Sequence, residues 1–505
     1  MVSHCVTDNT PVLIGAGQYV QREATDSSPM MLAAEAAKLA ITNTGADNIA
    51  AHIDTICVTR LFSDMGHLWP CPWGRSDNPP ESIAQAIGAS PHARIYSEMG
   101  GNQPQSQVIE FARDIAQGKR EIVLMTGAEA LKNQRHAERN QQELDWNEHF
   151  DLPLDDRGMG DSVVTTQEIN NGLNNVLYYY SLIEQAQRHQ AGRTVAQHQQ
   201  FMAELLAPFS QVAANNPSAQ FPGQQRAEDI RSADPINFLY SKRMIAQDSV
   251  NQSAGLILCS VAKAREMGVA ESQFVYLHGM AEGTELPVSQ RPDPAISPIA
   301  NKVVDKALAI AQQTIADIDL IDIYSCFPCA VTAITNHLGL PTDGSKALTL
   351  TGGLPYFGGP GNNYSMHALV EAVLQLRQQP QSYALVTCNG GVLSKHASGI
   401  YSCRPSAVDW SATETSIENN LPRCEINSEP SQGNIVSYSV DFDRKGNAKA
   451  IILAETQAGE RFVACTAKDD QDTAMALLQS EATGKQVIIN SADNGRLNFI
   501  LEHSA

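Results

Sequence analysis

Thr349-Leu350-Thr351-Gly352-Gly353-Leu354-Pro355-Tyr356-Phe357-Gly358-Gly359-Pro360-Gly361-Asn362-Asn363-Tyr364 joins a short strand-like run to the amphipathic segment Ser365-Met366-His367-Ala368-Leu369-Val370-Glu371-Ala372-Val373. Glycine lacks the Cβ that would collide with a neighbour and tolerates positive φ, so this loop can bring backbone very close to something else. Its amides and those of the first helical turn are expected to offer unpaired N–H donors. Such donors suit a thioester oxygen, a carbonyl gaining negative charge, or a phosphate. A tight packing loop at a contact between two halves of the molecule is the competing reading.

Outward from this loop, strand and helix signals alternate, which predicts an α/β fold with sheets between helical layers. Before the loop come a strand at 12–14 with its turn Gly15-Ala16-Gly17, a helix at 30–44, a strand at 53–59, a helix at 105–117 and a buried strand at 121–125. Residues from about 130 to 245 are rich in Gln, Asn, His and charge, and read as a helical excursion from the sheet. The core resumes at Ala254-Gly255-Leu256-Ile257-Leu258-Cys259-Ser260. The same grammar then repeats: a strand at 274–278, helix 300–314, strand 319–324, helix 330–337, the glycine loop and its helix, and strands at 383–388 and 399–402. The repetition predicts an internal duplication. Three domains are expected: an N-terminal half over 1–270 carrying the 130–245 insertion, a C-terminal half over 271–406, and a β-rich domain over 407–505. In that last domain, alternating strands at 436–440 and 450–454 flank Asp443-Arg444-Lys445-Gly446.

The 505 residues exceed what one core usually accommodates. Hydrophobic residues at 43% and charged ones at 18% describe a packed globular protein. A net charge of −20 argues against nucleic acid or an anionic membrane surface as a general partner. No apolar run reaches membrane-spanning length, and Met1 to Pro11 carries no signal-peptide pattern. The ten cysteines are scattered and mostly sit in apolar runs, which predicts free thiols in a reducing cytoplasm.

In this order along the chain, Ile115-Ala116-Gln117-Gly118 with 123–129, the 250–266 segment, Tyr324-Ser325-Cys326-Phe327-Pro328, the 352–363 loop and Cys388-Asn389-Gly390-Gly391 resemble the thiolase superfamily. The version with an added C-terminal domain resembles thiolase-like protein type 1. The resemblance implies a duplicated five-layered αβαβα fold with a helical loop domain and a small C-terminal β domain, often dimeric, that holds acyl-coenzyme A thioesters between its halves and the loop domain.

Thiolase chemistry as implied by that resemblance uses four parts. A nucleophilic cysteine opens a buried helix, where amides and the helix dipole lower its pKa; Gly101 stands there, next to Asn102. A loop histidine is matched by Gly359, within Gly358-Gly359-Pro360. The residue that orients an oxyanion-hole water is matched by Tyr324. The acid/base cysteine of the Cys-x-Gly motif is matched by Cys388.

Candidate catalytic residues are therefore Cys388, Cys326, His396 and Tyr324, and candidate ligand-binding residues Gly101, Asn102, Gly358, Gly359, Asn362 and Asn363. Cys326 and Cys329 make a Cys-x-x-Cys that suits redox chemistry or zinc, but zinc needs a second ligand pair and none lies nearby, so no metal is expected. Buried structural thiols compete with each cysteine reading. His396 could supply a proton near neutral pH, against a hydrogen-bonded structural histidine. His367 reads as an i,i+4 partner of Glu371. Lys119, Arg120, Lys132, Arg135 and Arg139 form a basic cluster, either a solvated face or a site for CoA phosphates.

Gly15-Ala16-Gly17 lacks the remainder of a dinucleotide fingerprint. The expected function is acyl transfer or Claisen-type cleavage on CoA thioesters in lipid metabolism, with coenzyme A esters as substrate and no permanent cofactor. The alternatives are a non-catalytic acyl-CoA-binding or scaffold protein, or a CoA thioesterase. The chain is expected to be a homodimer, or a monomer if the added domain covers the dimerising surface.

Overall fold

The computed structural model describes residues 6–65, 69–443, 445–491 and 495–502. Arg444, inside the turn expected at 443–446, lies outside the described residues. Strands β1 (Pro11–Val20), β2 (Thr55–Val58), β3 (Ala93–Tyr96), β4 (Ile122–Glu129), β5 (Asp155–Asp156) and β6 (Gln252–Ser260) build the first half; β7 (Val275–Thr284), β8 (Leu320–Ile323), β9 (Ala384–Gly390) and β10 (Lys395–Ser402) build the second. The helices that position the site are α1 (Pro29–Asn43), α2 (Gln103–Ala116), α3 (Thr166–Asn170), α4 (Val176–Gln190), α5 (Val195–Asn215), α6 (Pro298–Ala311), α7 (Pro328–Leu338) and α8 (Tyr364–Gln378).

The duplication expected from the order of elements is present in the strand pairing. In the first half the order is β3-β2-β4-β6-β1, and in the second it is β8-β9-β10-β7. The halves share a parallel pair, β2 with β4 and β8 with β9, followed by two antiparallel ones; in the first half β3 adds a further parallel pairing with β2. At the free edge of β8, where β3 would have its counterpart, the Ile323 amide donates to the Leu348 carbonyl (2.9 Å). The halves join where Val12 and Leu13 pair with Tyr276 and Val275.

Strands covered on both faces are continuously apolar: Val123, Met125, Leu256 and Leu258 face one core, and Ile122, Leu124, Ile257 and Cys259 the other. Between the sheets lie α2 and α8, whose Val108, Phe111, Leu369 and Val373 share one core with Leu13, Met125 and Val386. Helix α1 covers the outer face of the first sheet, and α6 covers β7 and β10 of the second. This is a five-layered αβαβα arrangement. Ser28 caps α1 by accepting from the Met31 amide, with Pro29 in the first turn where its missing N–H costs nothing.

Between β4 and β6 the chain makes the expected helical excursion. Helix α4 is buried along most of its length, and α5 begins with a capping box at Thr194 and Gln197. The outer edge of the first sheet does not end on a bare strand, because β5 pairs with β3 at Ile95 and Tyr96.

Past β10 the chain runs along the body as a strap. Trp410 is buried with its indole N–H on the Leu277 carbonyl (3.3 Å), and β11 (Ser416–Ile417) pairs with β7. Strands β12 (Gln432–Phe442), β13 (Ala448–Glu455), β14 (Arg461–Cys465), β15 (Gln486–Ser491) and β16 (Leu497–Leu501) then close a barrel in the order β12-β13-β14-β16-β15. Helix α9 (Gln471–Gln479) lies between β14 and β15 in sequence. The barrel rests on the helical insertion: the Ser437 hydroxyl donates to the Leu182 carbonyl (2.6 Å), and Gln167 of α3 bonds both the amide and the carbonyl of Val463.

Candidate functional site

The two halves bring together the ends of β8 and β9, the start of β10, and the turn that opens α2. Tyr324 and Cys326 follow β8, Cys388 and Asn389 close β9, His396 opens β10, and Gly101 and Asn102 lead into α2. A Cβ on Gly101 would lie 2.5 Å from the Tyr324 hydroxyl and 2.5 Å from the Asn389 carbonyl oxygen. The space a side chain at 101 needs is therefore filled by tyrosine and by the end of a strand. The Ser365 hydroxyl, in the first turn of α8, donates to the Gly101 carbonyl (2.5 Å) and also contacts the Cys388 thiol.

Tyr324, Cys388, Asn389 and His396 share a small cavity with Ala330, Ala333, Ile334 and Leu393, leaving about 10 Å³ for the centre of a water molecule. That is one water's worth of room. Burial pushes the Cys388 thiol up to about 12, against the Ser365 hydrogen bond, and raises the Tyr324 phenol well above its ordinary range. Burial, helped by the charge of Arg291, brings His396 down to about 3, so its imidazole is neutral at pH 7. Its Nε2 has no partner among the described residues, and neither does Asn389 Oδ1. The cavity wall thus offers two protonated donors, a thiol and a phenol, beside a neutral imidazole.

The glycine loop lies against these groups, but its amides are largely taken up within the protein. Gly359 N donates to the Gln247 carbonyl (2.8 Å), Leu354 N to Ser325 Oγ (3.2 Å), and Gly352 N and Gly353 N to the hydroxyls of Thr349 and Thr351 (3.0 Å each). The run expected as a strand before the loop is irregular backbone, pinned by fully buried Asp322, which accepts from the amides of Leu350 (2.8 Å) and Thr351 (3.1 Å). Asn362 and Asn363 donate to the Arg60 and Gly127 carbonyls (2.9 and 2.7 Å), which ties the loop to the first half. The segment leaving the helical insertion closes over the loop: Ala246 N reaches the Cys326 carbonyl (2.9 Å) and Gln247 N the Leu354 carbonyl (3.2 Å). The expectation of free donors is thus replaced by a satisfied loop, because an amide buried without a partner would cost free energy. Beside it, a groove of about 280 Å³ opens between α5 and residues 342–349, lined by Leu205, Phe209, Val212, Lys346 and Leu348.

Other expectations change in detail. His367 and Glu371 are bridged by Gln18, whose Oε1 accepts from His367 Nδ1 (2.9 Å) and whose Nε2 donates to Glu371 (2.7 Å). The basic residues do not form one patch. Arg120 pairs with Asp114, whereas Arg135 makes a bidentate pair with Asp248, two bonds of 2.7 Å. Among the described residues no group of three His, Cys, Asp or Glu side chains could hold a metal ion, and no helix is long and apolar enough to cross a membrane.

Tyr180, Asn389, Glu184 and Glu129 are site neighbours that sequence reasoning did not single out. Tyr180 and Glu184 lie in the insertion, far from the glycine loop in sequence, so no spacing connects them to it. Glu129 ends β4 and accepts from Phe62 N (2.8 Å), with Gly361 at φ +55° so close that a Cβ there would meet Glu129 Oε1 at 2.3 Å. Burial, outweighing that hydrogen bond, holds the Glu129 carboxyl up at about 8. A folded-state pKa above the unfolded one contributes stability that is complete below about pH 4 and is lost as pH rises through about 8. Glu129→Gln cannot ionise and escapes this loss. Its melting temperature is expected to gain on the wild type steadily between pH 5 and pH 8 and to hold that gain above pH 8; a constant difference from pH 5 to pH 8 in calorimetry would contradict the assignment.

The comparisons accord with this architecture. The fold is shared with acetyl-CoA acetyltransferase from Syntrophomonas wolfei (15% identity, TM-score 0.58, covering 79% of this chain and 100% of that one) and with an Ltp2-ChsH2(DUF35) aldolase (19%, 0.58, 79% and 98%). Such likeness defines a thiolase-fold protein. Residues 416–494 match the thiolase-like protein type 1 additional C-terminal domain. The chain is also similar, at 33% identity and a TM-score of 0.82 over 99% of its length and 100% of the other chain, to a monomeric SCP2-thiolase like protein type 1 from Mycobacterium smegmatis. It belongs to the thiolase-like protein type 1 family. No curated protein sequence matches it.

Proposed function

We propose that this protein binds coenzyme A thioesters between its halves and the helical insertion, and handles them without an acyl-enzyme at position 101. The observation that carries this reading is the filled space at Gly101, 2.5 Å from both Tyr324 Oη and the Asn389 carbonyl. A glycine cannot be acylated, and nothing larger fits. The groove between α5 and residues 342–349 is where the long arm of coenzyme A would enter; Phe209, in its wall, lies against Gly353 of the glycine loop. Reaching Cys388 would require the 244–247 segment to release its backbone bonds to Cys326, Leu354 and Gly359, so binding is coupled to opening.

A second reading is favoured by the Cys388, Tyr324 and His396 cavity: acyl transfer or Claisen-type cleavage in acyl-CoA metabolism, with Cys388 as acid/base. Its protonated thiol suits donation of a proton to a carbanion α to a thioester carbonyl. A thioesterase using Cys326 is a third. The protein acts as a cytoplasmic monomer in this proposal, supported by β5 over the β3 edge and by the monomeric relative.

Acetyl-CoA and longer acyl-CoA esters are expected to raise the melting temperature by mass action, by about 2.7 kcal/mol of stabilisation at a hundredfold excess over Kd. Cys388→Ser should leave that shift within a few-fold in Kd. If the wild type turns over acyl-CoA, the variant should lose at least about a hundredfold in kcat. No shift with any ester would overturn the binding proposal, and turnover unaffected by Cys388→Ser would remove the second reading.

A further inference from the structure

Cys326-Phe327-Pro328-Cys329 straddles the turn from β8 into α7, with Phe327 as the capping residue and Pro328 in the first turn. The two thiols stand in opposite environments. Around the Cys326 sulfur are hydrogen-bond donors: the Tyr180 hydroxyl, the backbone amides of Phe327 and of Cys326 itself, and Asn389 Nδ2 at 3.6 Å. Tyr180 Oη accepts from Asn389 Nδ2 (2.9 Å) and from Leu393 N (3.1 Å), so its one proton is left for the sulfur. Tyr180 is held in place by stacking on Phe327, centroid to centroid 4.2 Å. Asn389 is 4% exposed and its Oδ1 has no partner, so nothing in the described structure accounts for its orientation except the contacts its Nδ2 makes. Burial pushes the Cys326 thiol up to about 12, and these converging donors work against that rise.

Cys329 has an acceptor instead. Its backbone amide donates to Glu184 Oε2 (2.8 Å), and its thiol lies against the same carboxylate, the Tyr180 carbonyl (3.8 Å) and the Tyr240 hydroxyl (3.9 Å). Glu184 is fully buried on α4, with its other oxygen on His198 Nε2 (2.7 Å) and Tyr240 Oη on Oε2 (3.0 Å). Exposure divides the pair in the same sense, Cys326 at 8% and Cys329 at 0%. Cys326 is the less buried of two buried thiols, and Cys329 is the one that lies beside a carboxylate.

We propose that Cys326 and Cys329 are a thiol–disulfide exchange pair whose oxidant is a small-molecule disulfide of the glutathione or coenzyme A class. The Cys326 sulfur attacks one sulfur of R–S–S–R; that S–S bond breaks and one R–S⁻ leaves, taking up the proton Cys326 gave. Cys329 passes its proton to Glu184 and attacks the Cys326 sulfur. The second R–S⁻ departs, is protonated from Glu184, and a Cys326–Cys329 disulfide remains. Two electrons pass from the dithiol to R–S–S–R, giving two R–SH. The proposal stands on the cysteine pair and does not require that thioesters bind.

The test incubates the full-length protein with glutathione disulfide or, separately, coenzyme A disulfide. Any remaining thiols are alkylated after denaturation and the peptides mapped by mass spectrometry. The expected product is a 326–329 peptide lighter by two hydrogens and refractory to alkylation until reduced, formed with either oxidant; a marked preference for coenzyme A disulfide would identify that source. In Cys329→Ser one adduct should accumulate on Cys326. Tyr180→Phe should slow formation by at least about tenfold, the worth of one hydrogen bond to a charged group. Should Cys329→Ser fail to fold, mapping of the wild type decides. Cys326 and Cys329 remaining fully alkylatable under conditions that modify the partly exposed Cys403 or Cys424 would overturn the proposal, as would an adduct on Cys329 rather than Cys326.

Discussion

Cutting the chain after Ser431 is expected to leave a body that aggregates, because the barrel and the helical insertion share one core. Tyr179 and Leu182 of α4 and Phe238 pack in the same cluster as Val440, Leu453 and Phe462 of the barrel. Fully burying side chains of this size contributes about 1.5–3 kcal/mol each, so baring several of them outweighs most point mutations. Polar contacts are severed as well: Ser437 leaves the Leu182 carbonyl, the Arg188–Glu481 ion pair is broken, and Asn171 Oδ1 loses the Leu497 amide (2.6 Å). A cut after Ser406 also removes Trp410 and β11 from the body and should be more damaging still. Light scattering should show high-mass species for both truncations and a single monomer for the full chain. A truncated body with unchanged melting temperature and the mass of one chain would show the barrel to be an independent appendage. The association would spread from the bared face of α4, since the β3 edge is covered by β5 in either case.

The few aromatics of residues 407–505 already pointed to a domain that leans on the body, but the closed barrel and its seam with the insertion were not legible in the sequence, for a physical reason. Alternation over 436–440 and 450–454 revealed two strands, but closure of the barrel depends on pairings such as Val487 with Leu501 and Cys465 with Asn498, whose partners are short or far apart. The duplicated sheets were legible because each strand is buried on both faces and carries its own continuous apolar run. The order of elements therefore reported the order of the fold. Local reading also located the strand ends where Tyr324 and Cys388 lie, and the resemblance placed Gly101 at the start of α2. It could not show that the Tyr324 ring crosses to the start of α2, because direction across a sheet end is set by packing and not by spacing. The glycine loop illustrates the same limit. Its glycines correctly signalled close approach, but the neighbours are Gln247, Ser325 and Thr349, and only three-dimensional contacts tell a loop that cradles a ligand from one that cradles its own protein.

Replacing Gly101 with cysteine is expected to fail as a restoration of a nucleophile. The new Cβ would meet a tyrosine hydroxyl and a backbone carbonyl, both at 2.5 Å, which is closer than real Cβ contacts. The Asn389 carbonyl belongs to β9, whose hydrogen bonds to β10 hold it, so it cannot retreat cheaply. Tyr324 is walled in at the Gly101 side and packs edge-on against Tyr364, ring centroids 5.3 Å apart. Overpacking of this kind should lower stability by about 3 kcal/mol in urea unfolding, with no acyl-enzyme detected by mass spectrometry after exposure to acetyl-CoA. Tyr324→Leu isolates the two obstacles. By itself it loses buried aromatic surface, but combined with Gly101→Cys it should recover about 1 kcal/mol relative to the sum of the single changes, because one of the two clashes has gone. Full recovery is not expected while the Asn389 carbonyl remains. A Gly101→Cys protein as stable as the wild type would mean that the strand end yields. The space at position 101 would then be open to a side chain after all, and the proposal of ligand handling without an acyl-enzyme would lose its structural ground.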